Sequence, residues 1–208
     1  MKVFKLKELS VFGTNSYLVI SNDGNGALID APADAEYIMN FASEKKCRIT
    51  KILLTHGHYD HIGASGAIQE KTNCKVYIHQ NDKDKLSDGD SDLASIFNLP
   101  KLTPPKVIET VKDDDIIKLD EVSFKVIHTP GHTCGSVCYV LDSNDIIFSG
   151  DTLFRLSIGR TDMPGGDYPT LVRSLKKLSK LDKNYTIYPG HMDKTTLDFE
   201  KINNPYFK

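Results

Sequence analysis

The sequence predicts an α/β chain in which two mixed β-layers meet face to face and helices cover the outer faces. Three observations predict it. Two hairpin signals, Asn22-Asp23-Gly24-Asn25-Gly26 and Asp142-Ser143-Asn144-Asp145, each sit between β-rich runs, which makes both layers partly antiparallel. The order hairpin, helix, strand, polar loop occurs twice, over residues 16–61 and 137–191, with almost no shared residue identity. No linker or low-complexity segment divides the chain, so residues 1–208 read as one domain.

Taken in order, Val3, Phe4, Leu6 and Leu9 alternate enough to suggest a first strand over 3–9. Residues 16–20 and 27–30 are the strands of the first hairpin. Pro32 breaks the run, and Asp34 is placed to cap a helix over 35–46 with Tyr37, Ile38, Phe41 and Ala42 on one face. A short buried strand follows at 51–55, a helix at 62–71 and a strand at 75–79. From Gln80 to Lys106 the pattern loosens. Asn81, Asp82, Lys83 and Asp84 read as solvated, and Leu93, Ile96, Phe97 and Leu99 as a small apolar patch. This segment is either a binding lid or a plain surface connection. Strands return near 107–109, 116–119 and 123–128, and Thr129-Pro130-Gly131-His132 makes a tight turn. Residues 137–141 and 146–149 frame the second hairpin. A glycine-rich loop over 159–167 leads to an amphipathic helix over 168–181, with Leu171, Leu175 and Leu178 inward. A last buried strand covers 186–188, and a short helix starts at Lys194.

A chain of 208 residues can bury a substantial core, and 39% hydrophobic with 26% charged residues describes a soluble globular protein. A net charge of -2 argues against a nucleic-acid partner, which would require a basic face. No apolar run is long enough to cross a bilayer, and Met1-Lys2-Val3-Phe4-Lys5 is not a signal peptide, so no membrane partner is expected and the expected address is the cytoplasm. The four cysteines are too few and scattered for a disulfide framework.

The chemistry collects first at Thr55-His56-Gly57-His58-Tyr59-Asp60-His61, where three of the seven histidines and one aspartate fall within six residues. Imidazoles and a carboxylate gain little from such crowding unless a cation organises them, and both are ligands for zinc and similar ions. His132, Asp151 and His191 each lie just past a β-rich run and beside a glycine. Loops at strand ends are where sheet-based folds place their sites. Glycines 57, 131, 150 and 190 allow sharp turns there. Together these are five imidazoles and two carboxylates, more than one tetrahedral ion can use. They suffice for two ions sharing a carboxylate, each with room for water.

Four segments in this order, Thr-His-Gly-His-Tyr-Asp-His, Thr-Pro-Gly-His-Thr, Ser-Gly-Asp-Thr-Leu-Phe and Tyr-Pro-Gly-His, resemble the metallo-β-lactamase superfamily. Within it the chain is similar to the glyoxalase II-like (hydroxyacylglutathione hydrolase) branch, from Asn15-Ser16-Tyr17 through His191. The resemblance implies an αββα sandwich with the site on one edge. By motif position it implies one metal held by His56, His58 and His132 and another by Asp60, His61 and His191, with Asp151 bridging. Zinc is the first expectation, with iron or manganese also compatible with this donor set. The implied reaction is hydrolysis by a metal-bridged hydroxide, with Asp60 orienting the nucleophile as well as binding metal. A thioester such as S-lactoylglutathione or a related small thiol conjugate suits the site, because a thiolate of pKa about 8.5 departs without strong acid assistance.

Relatives that act on glutathione thioesters often carry a C-terminal helical domain; only 17 residues follow His191, so that domain is expected to be missing. The loop over 155–162 resembles short-form relatives and offers Arg155 and Arg160 as partners for a substrate carboxylate. Arg160 could equally form an ion pair with Asp162 that fixes the loop. Two other functions stand beside hydrolysis: a persulfide dioxygenase holding one iron through two histidines and an aspartate, and a scaffold that keeps the site for stability. β-Lactam hydrolysis is not expected. His79 and His128 read as structural and Cys138 as core. Whether Cys134 approaches the metals, and whether Tyr59 lines the cleft or packs beside it, stay open.

Overall fold

Two six-stranded sheets face one another, and each is built from a continuous stretch of chain. The computed structural model describes residues 1–10, 12–88, 91–96 and 98–207. The first sheet has the order β1 (Lys2–Lys5), β2 (Tyr17–Ile20), β3 (Asn25–Ile29), β4 (Arg48–Leu53), β5 (Lys75–His79) and β6 (Ile108–Val111). Its first three strands are antiparallel and the later pairs parallel. Between them run α1 (Ala35–Glu44), α2 (Tyr59–Ile62), α3 (Ser65–Thr72), α4 (Lys83–Asp88) and α5 (Ser91–Ile96). The second sheet is formed by β7 (Ile116–Leu119), β8 (Val122–His128), β9 (Val137–Leu141) and β10 (Ile146–Gly150). A small hairpin, β11 (Leu153–Phe154) and β12 (Ser157–Ile158), and helix α6 (Tyr168–Ser179) follow. Then β13 (Thr186–Pro189) pairs parallel to β10, β14 (Thr195–Thr196) pairs with β13, and α7 (Leu197–Asn203) and a 3-10 turn (Pro205–Phe207) follow.

Side-chain alternation along the strands makes the layers. Tyr17, Val19, Ala27 and Ile29 of the first sheet meet Phe124, Val126, Tyr139 and Phe148 of the second in the central core. The opposite faces, Leu18, Leu28, Ile52 and Val76, pack under α1 and α3 around Ile38 and Ile68. Cys138, Val140, Ile147 and Ile187 pack under α6 around Leu175 and Leu178. Each fully buried large side chain contributes about 1.5–3 kcal/mol by leaving water. Tyr139 keeps its buried hydroxyl satisfied by donating to Leu54 O at 2.8 Å. The αββα arrangement therefore follows directly from period-two burial on both sheets. No helix among the described residues is long and apolar enough to cross a membrane.

Several elements differ from the expectation. The first strand ends at Lys5 instead of residue 9. The expected helix at 62–71 is two helices, because a turn opens inside the histidine motif and Asp60 and His61 are already helical in α2. The loosened segment holds a 3-10 turn (Gln80–Asp82), α4 and α5, each too short to build a readable period. Asp82, expected in solvent, is buried at 1% exposure. Ile96 is exposed; Phe97 and the side chain of Leu93 lie outside the described residues. The last helix begins at Leu197 because Thr195 and Thr196 first pair with β13, and the Thr196 hydroxyl then caps it. Asp34 caps α1 as expected, accepting from Tyr37 N at 3.0 Å.

Candidate metal centre

The carboxyl ends of β4, β8, β10 and β13 open on one edge of the sandwich. His56 and His58 stand on the turn after β4, and Asp60 and His61 on the first turn of α2. His132 follows β8, Asp151 follows β10 and His191 follows β13. All seven side chains come together although they span residues 56–191. The rings of His56, His58 and His132 lie 4.5–4.8 Å apart, centre to centre. His61 Nε2 is 3.6 Å from Asp60 Oδ2, 3.4 Å from Asp151 Oδ1 and 3.4 Å from His191 Nε2. Asp151 Oδ2 is 3.6 Å from His132 Nε2 and 3.3 Å from His191 Nε2.

These separations fit ions better than hydrogen bonds. Donors about 2.0–2.1 Å from a shared ion at tetrahedral angles stand about 3.3–3.4 Å apart, whereas a direct N–H···O bond is shorter. His56 Nε2, His58 Nε2, His132 Nε2 and Asp151 Oδ1 are buried and have no hydrogen-bond partner. Buried polar atoms are normally satisfied, and four orphans facing one space mark a position for a cation. Three groups of ligand atoms within 4.8 Å of one another result: His56, His58, His132; His56, His61, Asp151; and Asp60, His61, His191.

The opposite ring nitrogens explain why the Nε2 atoms face inward. His61 Nδ1 donates to Asp30 Oδ2 at 2.8 Å, and His132 Nδ1 donates to Arg160 O at 2.7 Å. His56 Nδ1 meets Thr55 Oγ1 at 3.1 Å, and that hydroxyl donates onward to Asp30 Oδ2 at 2.8 Å. Each contact puts the proton on Nδ1 and leaves Nε2 with its lone pair, the form a metal requires. Thr14 Oγ1 donates to Asp60 Oδ2 at 2.6 Å and fixes that carboxylate. Asn15 Nδ2 donates to Pro189 O and Met192 O, pinning the turn that carries His191.

Close approach sets the glycines. A Cβ at Gly190 would overlap Asp151 Oδ1 and crowd His61. Gly150 has φ +49°, and a Cβ there would run into Thr55.

The electrostatics divide the cluster. Burial, reinforced by the neighbouring histidines, holds His56 and His58 well below the usual imidazole range, so both are neutral. Burial acts the same way on His61, but the carboxylates of Asp60, Asp151 and Asp30 outweigh it and raise it to about 10. Burial disfavours the Asp151 carboxylate, yet His61, His191 and His132 hold it well below the usual carboxylate range.

Beside the cluster lies a cleft of about 210 Å³, walled by Phe12, Tyr59, Leu99, Met163 and Arg160. Tyr59 lines it and donates to Pro100 O at 2.7 Å, so the 80–106 segment contributes a wall through Leu99. Arg160 makes two bonds to Asp162, at 2.6 and 2.7 Å. Arg155 is not among the lining residues; its guanidinium lies over the Phe199 ring at 5.9 Å. Cys134 is exposed, 3.5 Å from Gly165 O, and belongs to none of the ligand groups. His79 and His128 stack at 3.9 Å outside the cluster. Asp30, Asp82 and Thr14 escaped the sequence reading. The repeat held the signal for Asp30, which follows β3 as Asp151 follows β10.

Comparison with known proteins agrees with this geometry. The sequence profile described as the metallo-beta-lactamase superfamily matches residues 9–191. The chain is 34% identical to hydroxyacylglutathione hydrolase GloC of Haemophilus influenzae over 203 residues, 95% of this chain and 94% of that protein. Among solved structures, BLEG-1 B3 metallo-beta-lactamase superposes with TM-score 0.89 at 31% identity, covering 100% of both chains. TTHA1623 in a di-iron-bound form gives 0.88 at 34%, covering 98% of this chain and 99% of that one. ETHE1 from Myxococcus xanthus gives 0.81 at 29%, covering 99% and 84%. The chain belongs to the metallo-beta-lactamase superfamily, whose fold implies divalent metal binding.

Proposed function

We propose that this chain is a dinuclear metal-dependent hydrolase of small thioesters, S-lactoylglutathione or a related thiol conjugate. The observation that carries this reading is the placement of Asp151, whose Oδ1 faces His61 while Oδ2 faces both His132 and His191. One carboxylate therefore reaches both ligand groups. His56, His58 and His132 would hold one ion and Asp60, His61 and His191 the other, with Asp151 in reach of both. Such ions, when bound, lower the pKa of water towards neutrality and polarise a carbonyl oxygen.

The chain's own residues do the rest. Thr14 holds Asp60 in one orientation, which lets its carboxylate direct the attacking oxygen. Asp30 and the Arg160 carbonyl keep His61 and His132 in the liganding tautomer. Apart from the ligand cluster, the titratable side chains lining the cleft among the described residues are Tyr59 and Arg160. Burial raises the Tyr59 phenol and its hydroxyl already donates to Pro100 O, so neither group is a good proton donor to a departing atom. A thiolate leaving group needs none, being stable near neutrality with a pKa of about 8.5. The GloC likeness points to the same substrate class. Arg160 lines the same cleft, which supports its reading as the partner of a substrate anion. Zinc suits the mixed nitrogen and oxygen donors, and iron does as well, in keeping with the di-iron form of TTHA1623.

The test is thiol release from a panel of thioesters by protein of measured zinc, iron and manganese content, beside a β-lactam and a glutathione persulfide under oxygen monitoring. Release of thiol with two ions per chain is the expected result. One iron per chain with oxygen uptake and no thiol release would replace hydrolysis with the dioxygenase reading.

A further inference from the structure

A buried carboxylate outside the ligand set joins the two turns that carry three of the histidines. Asp82 ends the 3-10 turn after β5 and is 1% exposed. Its Oδ2 accepts from Gly57 N at 2.9 Å and from the Thr133 hydroxyl at 2.6 Å; its Oδ1 accepts from Gly135 N at 2.8 Å. Gly57 stands between His56 and His58, and Thr133 directly follows His132. One turn leaves the first sheet and the other leaves the second, so a single side chain sets their spacing. The fit is close: a Cβ on Gly135 would lie 2.5 Å from Asp82 Cγ. The Thr133 hydroxyl is further held by Ser136 Oγ at 2.8 Å. Asp30 has the corresponding position on the other side, binding Thr55 N and His61 Nδ1.

We propose that Asp82 is a positioning residue for the three-histidine half of the centre, acting through the backbone of both turns, whereas Asp30 reaches His61 directly and His56 through the Thr55 hydroxyl. This rests on the metal reading above and not on the choice of thioester. A residue that merely stabilised the fold would weaken both halves alike.

The test places Asp82→Asn in two single-site backgrounds, His191→Ala and His58→Ala, and measures zinc affinity against a chromophoric chelator. In the His191→Ala background the remaining ion should bind about tenfold more weakly, the low end of what outer-shell partners contribute. In the His58→Ala background the change should stay under about twofold. Thr133→Val, which removes one donor only, should move the first background in the same direction by a smaller factor, and it serves if Asp82→Asn does not fold. Equal weakening in both backgrounds, or none in either, overturns the inference. Wild-type protein that holds no ion refutes the metal reading and this inference together. Wild-type protein that holds two ions and cleaves no thioester refutes the substrate assignment alone.

Discussion

Replacing Asp30 with Asn changes one heavy atom and should weaken the centre, first at His61, which the carboxylate holds directly. The carboxylate accepts three bonds: Thr55 N on Oδ1, and the Thr55 hydroxyl and His61 Nδ1 on Oδ2. An amide keeps one oxygen for Thr55 N and turns its NH2 towards the other two donors. The Thr55 hydroxyl can rotate and accept. His61 can accept only by moving its proton to Nε2, the atom that would bind metal. Otherwise a buried donor is left unmet, at a cost of about 1–3 kcal/mol. Loss of such an outer partner lowers metal affinity about 10–100-fold. In stripped protein, a loss of about 2 kcal/mol in a chain of this size lowers Tm by about 4–8 °C. Zinc content against buffered free zinc and calorimetry of chelator-treated protein read the two effects. An Asp30→Asn variant with wild-type zinc affinity and unchanged Tm would refute the tautomer reasoning.

Three further outcomes are expected. Chelation should lower Tm and added zinc should restore it in a concentration-dependent way, by about 2.7 kcal/mol per site at 100 times Kd; a Tm indifferent to zinc would leave the orphaned Nε2 atoms without a ligand. His79 is lowered to about 4, first by burial and then by His128 stacked on it, with Asp82, Asp113 and Asp115 acting weakly the other way. The unfolded state therefore binds the proton more tightly, so this contribution is complete above pH about 6.5 and is lost as pH falls from about 6.5 towards 4. Urea midpoints of wild type and His79→Gln across that window should converge at low pH, and parallel curves would count against it. Arg160→Ala should leave metal content unchanged, because residue 160 holds His132 through its carbonyl, while raising KM for an anionic thioester. An unaltered KM would confine the Arg160–Asp162 pair to shaping its loop.

Local chemistry made much of this legible in the sequence. Tyr17 to Ile20 alternate between the two sides of their sheet as their spacing requires, and Asp34 caps the helix it precedes. The seven donors stand out because each sits at a strand end beside a turn. Asp82 carried no such signal, and Asp30 carried one only through the repeat of pattern. A buried aspartate looks like a surface one until its donors are known, and Thr55, Thr133 and Gly135 reach them across 25 to 53 positions of chain. The short helices α4 and α5 were hidden for another reason: six residues do not complete two turns, so no apolar period can form. Arg155 and Arg160 share a loop and a charge, and it is the packing that separates them: one guanidinium lies over Phe199, while the other lines the cleft and pairs with Asp162.

The first sheet ends at Val111 and the second begins at Ile116, so covalently the sandwich is two half-chains tied by one short crossing. Ions held between the β4 turn and the loops of the second half would act as a rivet across that seam. Stripping them should let the seam breathe while each sheet keeps its own ladder. In hydrogen exchange, the Asn15 and Val137 amides, which bond across the halves to Gly190 O and Thr55 O, would be the first to open.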